Sequence, residues 1–165
     1  MAGPADPSRR AFLTGRSAEP DPVPRLGIAP PWLDGRITAK VCRDCESPCV
    51  DVCPERIVAI HPANHPDEGL AYVDFRIGAC TLCRACVEVC PERPADLNGI
   101  RPLPPVSLDH GRCLAAQGVV CVICVARCPQ RALSGEPGGR IHMSVEACTG
   151  CGACISACPT EALSV

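Results

Sequence analysis

Cys148-Thr149-Gly150-Cys151-Gly152-Ala153-Cys154-Ile155-Ser156-Ala157-Cys158-Pro159 is the stretch that decides the fold. Its spacing, Cys-x2-Cys-x2-Cys-x3-Cys-Pro, returns letter for letter at Cys80, Cys83, Cys86, Cys90 and Pro91. Steps of three residues let one tight loop offer three thiolates to three iron corners of a [4Fe-4S] cube, and the fourth Cys of the run then ligates another cube. The proline fixes φ and ends the ligand loop.

Working outward, two variant copies complete the pattern. Cys42, Cys45, Cys49 and Cys53-Pro54 carry one extra residue within Glu46-Ser47-Pro48, and Cys113, Cys121, Cys124 and Cys128-Pro129 begin on a longer tether. The four runs start 38, 33 and 35 residues apart, so the chain is an internal repeat. Pro follows the last Cys in all four, and with 19 prolines in 165 residues that is not chance. All sixteen cysteines fall in these runs, so each is expected to ligate iron, in up to four [4Fe-4S] clusters. Zinc sites present two Cys-x2-4-Cys hooks instead of three Cys in one run, and Cys three apart bridge poorly as disulfides. Which fourth Cys completes which cube is left open between adjacent and nested pairing of the runs. The 19 residues between Cys128 and Cys148, the shortest gap, mildly favour adjacent pairing.

Composition agrees with a metal-built core. The chain is 47% hydrophobic, but 16 of those residues are Cys, and it has only four aromatic side chains, Phe12, Trp32, Tyr72 and Phe75. What is left falls below the apolar share of ordinary globular domains, so cluster binding has to supply folding energy and the apo form is expected to be largely unfolded. A net charge of −2 gives no electrostatic reason to expect nucleic acid. No run approaches about 18 apolar residues, so no membrane span is expected. Ser8-Arg9-Arg10-Ala11-Phe12-Leu13-Thr14 has the form of a twin-arginine signal, yet charged, Pro-broken sequence follows it through Pro22 where an apolar stretch would be needed. A protein retained in the cytoplasm, with reduced thiols free for metal, is the expectation. No phosphate loop, nucleophile elbow or nucleotide fingerprint occurs. The reading is electron transfer or maturation rather than an enzyme with its own substrate site.

The expected fold class is α+β, small βαβ repeats built around [4Fe-4S] clusters in two pseudo-symmetric pairs. Residues 1–36 form a Pro-rich arm, 37–100 the first two repeats and 101–165 the other two. Leu70–Asp74 and Arg140–Val145 read as strands entering ligand loops. Short helical turns are expected after the fourth Cys, at Glu55–Val58, Gln130–Leu133 and Thr160–Leu163. Gly150 and Gly152 read as glycines that let backbone approach a cluster. His61, His65, His110 and His142 read as solvated or backbone-bonded rather than as ligands, because the prolines of His61-Pro-Ala-Asn-His65-Pro preclude a helical i, i+4 pair.

A family resemblance covers essentially the whole chain. Ser8-Arg9-Arg10 with Leu13-Thr14-Gly15-Arg16, Pro30-Pro31-Trp32, the third run from Cys113 and the final Cys-x-Gly-Cys-Gly-Ala-Cys together resemble the NapF-type ferredoxins, iron-sulfur proteins encoded with periplasmic nitrate reductase. The extra residue in the first run departs from that family's pattern. The resemblance implies a cytoplasmic protein that does not reduce nitrate itself. Its implied partner is the molybdenum-containing catalytic subunit, whose iron-sulfur assembly or reduction it assists before export. The same arm, with Arg9, Arg10, Phe12 and Leu13, is expected either to dock on that partner or to pack against its own domain. A general electron carrier in a respiratory or quinol-linked chain is the alternative.

Overall fold

A computed structural model describes residues 27–30, 42–91, 103–136 and 139–165. The arm beyond 27–30, including Arg9, Arg10, Phe12 and Leu13, and both expected domain boundaries lie outside the described residues.

Helices here are single turns: α1 (Pro48–Asp51), α2 (Ala85–Glu88), α3 (Ile123–Arg127) and α4 (Ala153–Ser156). A turn this short does not outweigh its nucleation cost in water, so these turns depend on what the flanking cysteines hold. Each lies between the third Cys of its run, or the residue just before it, and the fourth. The sequence placed the helical turns after the fourth Cys, and the structure corrects this. After Cys53-Pro54, Cys128-Pro129 and Cys158-Pro159 the chain makes a tight turn through Arg56, Arg131 and Glu161, at φ of 53°, 52° and 49°. Left-handed residues cannot continue a right-handed helix, and the chain leaves extended.

Among the described residues the strands are β1 (Val58–Ile60), β2 (Ala71–Val73), β3 (Ser107–Leu108), β4 (Leu133–Gly135), β5 (Ile141–Met143) and β6 (Leu163–Ser164). They form three two-stranded antiparallel sheets. β1 pairs with β2 in the register Val58↔Val73, Ala59↔Tyr72, Ile60↔Ala71, and β4 with β5 as Leu133↔Met143, Ser134↔His142, Gly135↔Ile141. Each hairpin therefore leads out of one Cys run and into the next. β3 pairs with β6, closing the second half end to end. The α+β mixture is as expected, and β2 and β5 fall inside the expected strand segments. The strands flanking α3 belong to different sheets, so the βαβ order of the chain is not a parallel βαβ crossover.

The core is small and sulfur-rich. In the second half, Val106, Ala115, Leu133, Ile141, Ala162 and Leu163 bury together with the thiols of Cys113, Cys124 and Cys154. A second cluster joins Ile57, Val73 and Phe75 of the first half to Leu103 of the second, with Ile28, Ile155 and Val165 packed against them. Ile28 bridges to Val73, whose N–H donates to the Ile28 carbonyl at 2.8 Å. This stretch of the arm thus packs on its own half, on the free edge of β2.

Candidate iron-sulfur centres

None of the sixteen cysteines is in a disulfide, and they gather in four sets. Contact between α1 and α2 brings together ends that lie far apart in sequence. The Cys49 thiol is pushed up to about 11 by burial and then by the neighbouring charges of Cys90, Cys42 and Cys45, which defines a first set of these four. Cys86 is pushed up to about 12 by burial, then by Cys80, Cys53 and Cys83, which defines the second set. Cys113, Cys121 and Cys124 line one cavity with Cys158, the third set. Cys148, Cys151 and Cys154 line another with Cys128, the fourth, and Cys154 is likewise pushed up to about 12, by burial first and then by its set partners. In each set three thiols come from one run and the last from the run beside it, so the arrangement is the adjacent pairing, first with second and third with fourth.

This donor set fits [4Fe-4S]. Half-buried thiols whose mutual repulsion opposes ionisation need a compensating positive core before all four can serve as thiolates. Backbone donors also aim at the sulfurs. The N–H of Leu82 reaches Cys80 Sγ at 3.4 Å, that of Ala132 reaches Cys128 Sγ at 3.2 Å and that of Ala162 reaches Cys158 Sγ at 3.3 Å. The left-handed residues Arg131 and Glu161 create the last two, by turning the next amide back onto the fourth sulfur. At Cys158 burial is the largest influence and raises the thiol, but N–H donors from Thr160, Ala162 and Leu163 together bring it below its ordinary value. When bound, such a cluster takes up or gives one electron at a potential set by its charge, its hydrogen bonds and its exposure.

The histidines behave differently from one another. His110 and His142 are exposed, and His142 Nε2 lies 2.9 Å from Glu136 Oε2. His65 Nδ1 accepts the N–H of Asp67 at 3.0 Å. His61 is neither solvated nor bonded through Nδ1: it is buried, and its Nδ1 has no partner. Turns, not a helix, bring its ring into a stack between His65 at 4.0 Å and Tyr72 at 4.3 Å. Donor atoms of His61, His65 and Asp67 lie within 4.8 Å of one another. The two imidazoles are only 11° from parallel, however, so their in-plane lone pairs run side by side and do not converge on one ion. This cluster is a π-stack.

Sequence reasoning also missed what the glycines of the last run do. A Cβ on Gly152 would strike the Phe75 ring, and one on Gly150 would lie 2.7 Å from Leu103 Cβ. What approaches closely there is protein, not a cluster: the first half's Phe75 at Gly152 and the Leu103–Pro104 segment at Gly150. The signal was present in the pair Cys80-Thr-Leu-Cys-Arg-Ala-Cys and Cys148-Thr-Gly-Cys-Gly-Ala-Cys, which differ only at the two glycine positions. Among the described residues no helix is long and apolar enough to cross a membrane.

Comparison with known proteins agrees with this chemistry. The model of the 4Fe-4S dicluster domain matches residues 41–93, and that of the 4Fe-4S binding domain matches residues 141–164. The chain is 30% identical to the ferredoxin-type protein NapF of Escherichia coli strain K12, over 96% of this chain and 94% of that one. It is 30% identical to the ferredoxin-type protein NapG of Haemophilus influenzae over 84% of this chain and 57% of the relative. To the methylamine utilization ferredoxin-type protein MauM of Paracoccus denitrificans it is 32% identical, over 83% and 69%. The chain binds multiple [4Fe-4S] clusters and belongs to the NapF-type ferredoxin family.

Proposed function

We propose that this chain carries four [4Fe-4S] clusters on its sixteen cysteines, one per thiol set. In the cytoplasm it assists the iron-sulfur assembly or reduction of the catalytic molybdenum subunit of periplasmic nitrate reductase before export. It acts as an electron-transfer or maturation protein, without a substrate site of its own. The observation that carries the cluster reading is the convergence of four thiols in each set, three from one run and one from its neighbour. Likeness to NapF over nearly the full length of both chains supports the partner. Two pseudo-symmetric pairs, residues 37–100 and 101–165, follow an arm over 1–36 whose Arg9, Arg10, Phe12 and Leu13 dock on the subunit. The repeated turn after each hairpin supports the pairing: the Asp74 N–H donates to the Ile57 carbonyl at 2.7 Å, and the Ser144 N–H to that of Ala132 at 2.8 Å.

The test produces the nitrate reductase subunit with and without this chain and measures its iron content and its co-purification with the chain. Retention of an iron-poor subunit by this chain, and a subunit short of iron in its absence, are the expected results. Full iron content without the chain, together with faster nitrate turnover when the chain is added to mature enzyme, would replace maturation by the carrier role.

A further inference from the structure

The second and fourth thiol sets, which belong to different halves of the chain, lie against each other. The Cys80 N–H donates to the Cys151 carbonyl at 2.8 Å, joining one ligand loop to the other. The thiols of Cys53, Cys80, Cys83 and Cys86 line a cavity that Cys148 and Thr149 also line. Phe75, only 3% exposed, packs beside Leu103 with Ile155 and Val165 against it, and its ring fills the space a Cβ on Gly152 would need. On the same side Arg76, paired to Asp74 at 2.6 Å, lies in the field of Glu161 from the second half.

The glycines are not required by the loop itself. Gly150 and Gly152 sit at φ of 69° and 75°, and their counterparts Leu82 and Arg84 adopt 58° and 64° in the same loop of the second run. Leu82 and Arg84 are exposed, whereas both glycines are buried. At the turn position matching Phe75 the second half carries Val145, 53% exposed. Two loops of one conformation thus differ where one is covered and the other is not, which is the mark of a built contact rather than of ligand geometry.

We propose that Phe75 seated on Gly152, with the Cys80 to Cys151 backbone bond, is a joint that sets the spacing between the second and fourth thiol sets and so orders all four in single file: first, second, fourth, third. The outer positions follow from the chain. Cys49 and Cys53 tie the first set to the second, as Cys86 and Cys90 do, and Cys124 and Cys128 tie the third to the fourth, as Cys154 and Cys158 do. The joint links the two inner sets. It makes one relay of what would otherwise be two independent pairs. This rests on the reading that each set holds a cluster.

The test uses holo protein purified without oxygen, as wild type, Phe75→Ala, Gly152→Arg and Arg84→Gly. Iron analysis of the wild type decides the cluster reading separately: about sixteen atoms per chain supports it and about eight sinks it. The joint is then read by hydrogen exchange in the peptide containing Cys80 and by spin-spin broadening in the EPR spectrum of fully reduced protein. Phe75→Ala and Gly152→Arg should speed exchange at Cys80 by about tenfold or more and reduce the broadening at unchanged iron content, while Arg84→Gly leaves both at wild-type values. If Gly152→Arg alone loses iron, Phe75→Ala, which leaves the ligand loop intact, carries the decision. Wild-type exchange and broadening in the joint variants would overturn the proposal. Iron loss in both would overturn it too, because the contact would then retain a cluster rather than fix a spacing.

Discussion

Cys90→Ala tests the grouping of the thiols most directly. Cys90 stands in the second run, yet it is the strongest neighbouring charge acting on Cys49 of the first run, so its removal should leave the first set with three ligands and the second set whole. A cube holds four irons, so loss of one cluster removes about four of about sixteen. Partners within one set are then non-additive and residues of different sets additive, as in any double-mutant cycle. Cys45→Ala/Cys90→Ala should therefore lose about four irons in total, no more than either single variant, whereas Cys83→Ala/Cys90→Ala should lose about eight. Iron and acid-labile sulfide analysis of anaerobic protein reads the difference. The reasoning is refuted if Cys83→Ala/Cys90→Ala loses only four while Cys45→Ala/Cys90→Ala loses eight, because Cys90 would then serve its own run.

Three further outcomes follow from single contacts. The Asp74 carboxylate is buried and held below the usual carboxylate range by its Arg76 hydrogen bonds, against the opposing effect of burial. Asp74→Asn should cost about 1–2 kcal/mol, the charged hydrogen-bond range reduced for the exposed guanidinium. The loss is constant at neutral pH down to about 5 and shrinks only as pH falls through the native pKa, measured by guanidinium unfolding of the holo protein. Burial and then His65 lower the His61 pKa from 6.5, so the unfolded chain takes the proton more readily and stability falls as pH drops below that value. His61→Phe keeps the stack on Tyr72, removes the unpartnered Nδ1 and should stabilise by about 1 kcal/mol at neutral pH, the margin widening towards acid in the same unfolding assay. Thr149 has a buried hydroxyl without a partner, and it lines both the cavity of the fourth set and the one at the joint. Thr149→Val should lower the reduction potential of the fourth set's cluster by removing a hydroxyl that is free to donate to a cluster sulfur, and Thr149→Ser should restore it, in an EPR-monitored titration.

What was legible in the sequence was local. The spacing of the Cys runs marks the ligand loops because, apart from the long first step of the third run, each loop is built from steps of three or four residues, and β2 and β5 appear where alternating residues run into those loops. The helical turns were misplaced because Cys-Pro-x-x resembles a helix start, while the left-handed residue that ends the turn, Arg56, Arg131 or Glu161, carries no mark in its side chain. The stack of His61 on Tyr72 depends on hairpin register across the sheet, which no local pattern encodes. The seat of Phe75 on Gly152 was hidden for the same reason, since its two members are 77 residues apart.

Under the proposed ligation, reciprocal donation of the fourth Cys also orders events during translation. Cys53 leaves the ribosome before Cys80, Cys83 and Cys86, so the second set is the earliest to be complete, and Cys90 then finishes the first. A nascent chain paused between Cys90 and Cys113 therefore offers two whole sites and nothing of the other two. In the second half the fourth set closes at Cys154 and the third at Cys158, just before β6 can zip onto β3. Iron delivered while synthesis is under way would fill the inner position of each half ahead of its outer one.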